Sequence, residues 1–341
     1  HMVVGHVDAS SYHEVGVLTV LQDKRDPKVV DTELSAARFV DGQGETIASL
    51  VHFGNHPEAM ADENTLITSD YVHALREGVE SGVDWGEGLR PGLGGTCLYL
   101  TGTVGGMMTP LGVTVYTPDG QELRDYSFER TDAIGKLKAG MALDAIEGGE
   151  IVSSPSLGFA TNRFELPVEN WGFQAMFLSG IIDRETVGWD PSQAIDEDNL
   201  PYVETELAHL SIGPIELLTF PGEVLPELAI GGYDGSHVGT TYDDLIEEGN
   251  QNPPDLSLAP EGPYWKDLLP GEHRWLLGLA NDELGYFVPP YDFELHESNP
   301  WFDEPELGDH YEETNSLGPD TAPILDERAT ELMEWVEANQ R

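Results

Sequence analysis

Lysine is nearly missing from this sequence: Lys24, Lys28, Lys136, Lys138 and Lys266 are the only ones in 341 residues. Lysine and arginine together number 16 against 63 aspartates and glutamates, a formal net charge of −47. Sequence-independent binding to nucleic acid, which works by neutralising phosphates, is excluded by that balance. There is no basic cluster to seek anionic lipid, and no apolar run approaches the ~18 residues of a transmembrane helix. Cys97 is the only cysteine, so neither an intrachain disulfide nor a thiolate metal cluster can form, and any metal must be held by nitrogen and oxygen. The Gly-x-Ser-x-Gly elbow of many serine hydrolases and the Walker phosphate loop are both missing. His1-Met2 has the look of a cloning scar, and no charged-then-apolar signal segment follows it.

What the chain does have is enough apolar content, 39%, to bury a core. Its acidic residues are scattered along the whole length instead of forming a tail, which points to a protein of high-salt surroundings. At molar ionic strength the Debye length is about 3 Å, so self-repulsion is screened while the carboxylates stay hydrated. Each single surface carboxylate is then weak evidence for a site.

Alternation and punctuation outline an α/β fold, a mixed sheet with flanking helices. Leu34 to Val40 and Thr46 to Phe53 read as strands joined across Asp41-Gly42-Gln43-Gly44. The second strand stops at Gly54-Asn55-His56-Pro57, which puts His56 on a loop at a strand's C-terminal end. Apolar positions at 72, 75 and 79 behind Ser69-Asp70 predict a capped helix from Tyr71 to Val79. A strand from Thr96 to Thr101 then empties into the glycine-rich loop 102–110. Asp132 to Ile146 is predicted as helix, Phe159 to Val168 as strand, and Glu204 to Phe220 as a hairpin turning at Gly213-Pro214. Pro221-Gly222-Glu223 follows, before a short apolar helix from Val224. Residues 233–272, rich in Asp, Glu, Gly and Pro, read as a surface insertion, and Ala322 to Ala338 as a closing amphipathic helix. The chain is expected to be one domain. The Asp-Asp-Leu-Ile-Glu-Glu run of the insertion lacks EF-hand spacing and reads as a solvated face.

Two imidazoles, His52 and His56, stand four apart, a spacing that suits zinc on a helix, but Gly, Asn and Pro around them argue for extended chain. His56 is the better ligand candidate, and His52 reads as a half-buried strand residue. Gly105 and Gly106 admit two readings: backbone N–H groups offered to an oxyanion, or a tight turn packed by Met107 and Met108.

Taken in order, these segments resemble the neutral, non-lysosomal ceramidase family. Residues 47–57, ending in His56-Pro57, are similar to that family's strand leading to a zinc-binding His-Pro, and Ser69-Asp70 resembles the Ser-Asp step after it. Tyr99 through Pro110 resembles the Gly-Asp-Val-Ser-Pro loop, and Thr219-Phe220-Pro221-Gly222-Glu223 the Pro-Gly-Glu that carries a metal-binding glutamate. Gly278-Leu279-Ala280-Asn281 to Gly285-Tyr286 resembles the Gly-Leu-Ala/Ser-Asn and Gly-Tyr segment, and His310-Tyr311-Glu312 falls where the family has a second tyrosine near the substrate.

The resemblance implies a Zn²⁺ held by His56, Glu223, Tyr286 and one further histidine, with Asp70 behind them. It implies that Tyr311 donates to a tetrahedral intermediate and that Thr109 stands in the place of the loop serine. The implied activity is hydrolysis of an amide bond in a small, lipid-like N-acylated substrate, and secretion or a cell-surface location fits the family. Two departures stand out. The loop reads Gly106-Met107-Met108-Thr109 where characterised members have Gly-Asp-Val-Ser, and the family's upstream His-x-His is not found before His56. Either the sequence starts part-way into the family's catalytic domain, as the middle-like Gln22-Asp23-Lys24-Arg25-Asp26-Pro27 suggests, or His6 or His13 substitutes. The rival readings are a non-catalytic relative that binds without turnover, and a metal-dependent esterase or phosphatase on similar ligands.

Overall fold

A computed structural model describes residues 1–15, 25–86, 88–106, 108–237, 244–250, 252–296, 300–301 and 311–339. The first half of the chain contains β1 (Met2–Asp8), β2 (Glu33–Val40), β3 (Thr46–Phe53), α1 (Tyr71–Ser81), a small hairpin of β4 (Gly82–Asp84) and β5 (Leu89–Pro91), and β6 (Thr96–Thr101). A second hairpin, β7 (Val115–Tyr116) with β8 (Glu122–Leu123), precedes α2 (Phe128–Glu147) and β9 (Glu150–Val152). The second half runs β10 (Leu157–Pro167), α3 (Trp171–Ser179), β11 (Tyr202–Ile212), β12 (Ile215–Thr219), β13 (Glu223–Val224), α4 (Pro226–Ile230), β14 (His273–Leu277), β15 (Tyr286–Phe287), α5 (Tyr311–Thr314) and α6 (Thr321–Asn339).

Two sheets carry the architecture. One has the order β6-β3-β2-β1-β9 and is antiparallel except for β3 and β6, which run parallel with α1 as their crossover. The other has the order β10-β11-β12-β14, again antiparallel except for its last pair. The period of two sorts the side chains. Leu34, Ala36, Val51 and Phe53 face α1 and α2 in one core, while Ala37, Phe39 and Leu50 turn to the other side and meet Ile215, Leu217 and Trp275 of the second sheet. The far face of the second sheet packs Leu166, Val203, Leu207 and Leu218 against Leu325, Ala329, Leu332 and Val336 of α6. The result is four layers: helices, sheet, sheet, helix.

The helices form where spacing and caps dictate. Along α1 the buried positions Tyr71, Ala74, Leu75, Gly78 and Val79 trace one stripe, and Asp70 caps it through the Tyr71 N–H. Helix α2 begins four residues before the expected Asp132, because Ser127 caps it by accepting from the Arg130 N–H. The expected strands and the closing helix agree with the structure to within two residues, and the short helix starts at Pro226 because Val224 is still paired in β13.

Met2 is fully buried in β1, opposite Phe39 of β2. One expectation needs correction. The span 233–272 is not wholly a surface insertion: Trp265 stacks on Phe220 at 4.2 Å between ring centres, and Leu269 is buried beside it. Lys266 is tied to Asp31 at 2.7 Å. The stretch of low periodicity is therefore pinned to the core at its far end. Residues 238–243 and 251, including the first aspartate of the acidic run, lie outside the described residues; Glu247 of that run is exposed and pairs with Lys28.

Candidate active site

Both parallel pairs deliver their C-terminal ends to one place, where ligand sites gather in α/β sheets. From the first sheet come the loop after β3, with His56, and the glycine loop after β6. From the second come the loop after β12, with Glu223, and the loop after β14. Backbone hydrogen bonds knit the four together. The Gly102 N–H donates to the Phe53 carbonyl at 3.1 Å, Gly278 donates to Gly102 at 3.3 Å, and Leu279 donates to Gly222 at 2.8 Å. The Gly105 N–H donates to the Val224 carbonyl at 2.9 Å, which joins the glycine loop directly to β13.

His56 is braced on each side. Its own N–H donates to the Met108 carbonyl at 2.8 Å, and the preceding Asn55 carbonyl accepts the buried Tyr71 hydroxyl at 2.6 Å. The Tyr99 hydroxyl, 3.0 Å from that of Tyr71, donates to Phe53 at 2.7 Å. Beyond Pro57, the Asp70 carboxylate accepts the N–H groups of Ala59 at 3.0 Å and Met60 at 3.1 Å while it caps α1. Asp70 therefore fixes the turn that carries His56 instead of touching the imidazole.

Glu223 donates its N–H to the Gly285 carbonyl at 2.9 Å and lies opposite Tyr286 in the β13–β15 register. Gly285 has to be glycine: its φ is +82°, and a Cβ there would strike the Asn315 carbonyl. The outcome is that His56 Nε2 comes within 3.1 Å of Glu223 Oε2. Burial disfavours a charged imidazole, but the hydrogen bond and charge of Glu223, with Glu58 and the Val104 backbone, outweigh it and raise the His56 pKa. Burial and the nearby Glu223 carboxylate raise the Tyr286 phenol, which stays a neutral O–H. The Tyr311 ring, at the start of α5, meets Tyr286 edge-on at 5.8 Å.

Glu223, Tyr286 and Tyr311 open onto a cleft of about 320 Å³, which His56 reaches only through its contact with Glu223. Its lining combines apolar side chains, Phe173, Phe177, Ile182, Leu284 and Leu317, with polar ones, Glu223, Glu283, Tyr286, Tyr311 and Asn315. Arg184 also borders it, held by Asp282 at 2.6 and 2.5 Å.

Of the residues singled out in the sequence, His56, Glu223, Tyr286 and Tyr311 come together. Others do not. Thr109 is buried, its hydroxyl accepts the Leu111 N–H at 3.0 Å, and it does not border the cleft. The Gly105 N–H is engaged by Val224, so the oxyanion reading of this glycine gives way to a packing role, in which a Cβ would lie 2.6 Å from the Leu225 nitrogen. Gly106, at φ +71°, turns the loop, and its carbonyl accepts the Arg25 N–H at 3.3 Å. His52 is fully buried, stacked on Trp275 and donating to the Leu276 carbonyl at 2.8 Å; burial pushes its pKa down to about 4, so it is a neutral packing group. His6 packs edge-on against His273 along a separate groove. Met107, His310 and the side chain of His13 lie outside the described residues.

Two features were missed in the sequence, the Tyr71–Tyr99 brace and the apolar lining from α3, and Arg25 was given no role there. The Arg25 guanidinium donates to Glu312 at 3.0 Å, Glu313 at 2.9 Å and Asp292 at 2.9 Å, seating the helix that begins with Tyr311. An arginine in so acidic a chain was the available signal.

Among the described residues, no group of three or more His, Cys, Asp or Glu side chains is arranged to hold a metal ion. The candidate donor set is one imidazole, one carboxylate and one phenol. No helix among them is long and apolar enough to cross a membrane. No family model matches the chain. No curated protein matches it either. Solved structures do. The neutral ceramidase of Pseudomonas aeruginosa superposes with a TM-score of 0.53 at 16% identity, over 98% of this chain and 52% of that one. A ceramidase complexed with C2 gives 0.57 at 14% identity, over 99% and 53%. The chain has a ceramidase-like fold. It spans about half the length of the ceramidases it matches, and at these identities the likeness is one of fold.

Proposed function

We propose that the cleft hydrolyses the amide bond of an N-acylated, lipid-like substrate, with Zn²⁺ held by His56, Glu223 and Tyr286. The observation that carries this reading is the 3.1 Å approach of His56 to Glu223, beside Tyr286 and Tyr311, at a cleft lined by both apolar and polar side chains. The donor types suit zinc, one imidazole nitrogen, one carboxylate oxygen and one phenol oxygen from three separate loops, and binding there would take a proton from Tyr286 and leave His56 neutral. Bound there, zinc would supply Lewis acidity, polarising an acyl oxygen and drawing the pKa of its bound water down towards about 7.

The chain's own residues do the rest. Phe173 and Phe177 offer an acyl chain a surface on which to leave water, which places the amide beside the polar side chains. The Tyr311 hydroxyl is the donor for the charge that develops on the amide oxygen. Asp70, Tyr71 and Tyr99 keep the His56 loop in place, so that the donors need no rearrangement.

The test is a panel of an N-acyl amide, the matching ester and a phosphomonoester, offered to the chain in molar salt with zinc. Release of the amine is expected, and Tyr311→Phe should lower kcat by about 10²–10³-fold with little change in KM. Turnover of the ester or phosphomonoester alone would select the esterase or phosphatase reading; no turnover with zinc bound would select a binding protein.

A further inference from the structure

From Asn170 to Ile182 the chain carries no charged side chain, although 63 of its 341 residues are acidic. Another long uncharged stretch, 97–118, is largely buried where described. Helix α3 is the reverse. Its sequence, Trp171-Gly172-Phe173-Gln174-Ala175-Met176-Phe177-Leu178-Ser179, is apolar nearly all round, a pattern of core helices or membrane spans. At nine residues it is far too short to span, and only Gly172 and Gln174 are buried. Trp171 is 46% exposed, Leu178 60% and, just beyond the helix, Ile181 75%.

This exposure is built in. The Asn170 side chain caps α3, accepting from Gly172 and Phe173, and donates to the Thr314 and Ser316 carbonyls at 3.0 and 2.8 Å. Gln174 donates to the Val168 carbonyl at 2.7 Å, and Gly180, left-handed at φ +71°, ends the helix. The helix is thus bolted beside α5 with Phe173 and Phe177 in the cleft and Leu178 and Ile181 facing water. The outer apolar surface and the cleft's apolar lining are continuous across one helix.

We propose that the segment from Trp171 to Ile182 docks the protein on a neutral or zwitterionic lipid surface and passes an acyl chain inward over Phe173 and Phe177. The charge argument selects the lipid. A chain of net charge −47, with no lysine or arginine on this segment, is repelled by an anionic bilayer, whereas an uncharged interface takes up Trp, Leu and Ile side chains. The passage of an acyl chain rests on the N-acyl hydrolase reading, but the docking itself does not.

Flotation of the full chain with phosphatidylcholine vesicles in molar salt tests it, beside the double variant Leu178→Asp/Ile181→Asp. Neither side chain borders the cleft, so cleavage of a soluble short-chain N-acyl amide and the melting temperature should match the wild type. Vesicle affinity should fall about tenfold for each side chain, and phosphatidylglycerol vesicles in dilute buffer should bind more weakly than phosphatidylcholine. Failure of the wild type to bind phosphatidylcholine, or equal binding by the double variant, overturns the docking surface. So does a wild-type dimer in solution that the two aspartates dissociate, which would make a second copy the occupant. Binding that the aspartates abolish upholds docking even where no amide is cleaved, and in that case the hydrolase reading alone fails.

Discussion

Replacing Arg25 by methionine removes a guanidinium that pairs with three buried carboxylates. The guanidinium reaches Glu313 through both of its terminal nitrogens and holds Asp292 and Glu312 as well, all at 3.2 Å or less. Removing one partner of a buried ion pair costs about 3–5 kcal/mol, because the other charge is left uncompensated. In a chain of 341 residues that corresponds to a drop in Tm of roughly 4–7 °C. The loss depends on pH. Burial has already pushed Asp292 up to about 6 despite Arg25, and without the guanidinium it rises further. A carboxyl whose folded pKa is raised stabilises the fold below its unfolded value, and that contribution is lost as pH climbs through the folded value. The variant's deficit should therefore be largest at neutral and alkaline pH and shrink towards about pH 4. Thermal unfolding followed by near-UV circular dichroism in molar salt measures both effects. Because α5 carries Tyr311, amide turnover should fall with it. A variant as stable as the wild type at neutral pH, or a deficit that does not change with pH, would refute the clasp.

Glu227 offers a related test: it is buried in α4 with Oε1 unpartnered, and burial, with Asp292 and Glu312 nearby, pushes its carboxyl up to about 8. Its stabilising contribution is fully present below 4.5 and lost as pH rises through about 8, so Glu227→Gln should be more stable than the wild type near pH 9, by at most about 5 kcal/mol, and the difference should vanish near pH 4. Equal melting at both ends would contradict that environment. Stability should also rise with salt, because the Debye length shrinks from about 10 Å at 0.1 M to about 3 Å at 1 M while 63 carboxylates repel one another. Maximal stability in dilute buffer would remove the argument from charge.

The sequence was most legible where a period met punctuation. Helix α1 behind Asp70, the β11–β12 hairpin at Gly213-Pro214 and the loop position of His56 follow from local rules. Helix α3 was missed because a helix apolar on nearly every side has no amphipathic period to detect. Strands β13 and β15 are two residues each, held by loops brought together from distant parts of the chain, so their pairing leaves no local pattern. Gly105 shows the limit of motif reading: glycine is required there, but for close approach to Leu225 and not for a donor aimed at substrate. Thr109 shows it too, since the loop motif around it gave no sign that its hydroxyl is taken up locally by Leu111. The Arg25 clasp joins residues 267 to 288 apart in sequence, beyond the reach of spacing rules.

The measurement that bears most directly on the cleft is elemental analysis of the chain purified in molar salt and equilibrated with zinc, beside His56→Ala and Glu223→Gln. One zinc per wild-type chain, diminished in both variants while their circular dichroism is unchanged, is the predicted result. Wild-type protein without zinc, or variants that keep the same zinc content, would contradict the assignment of His56 and Glu223 as ligands.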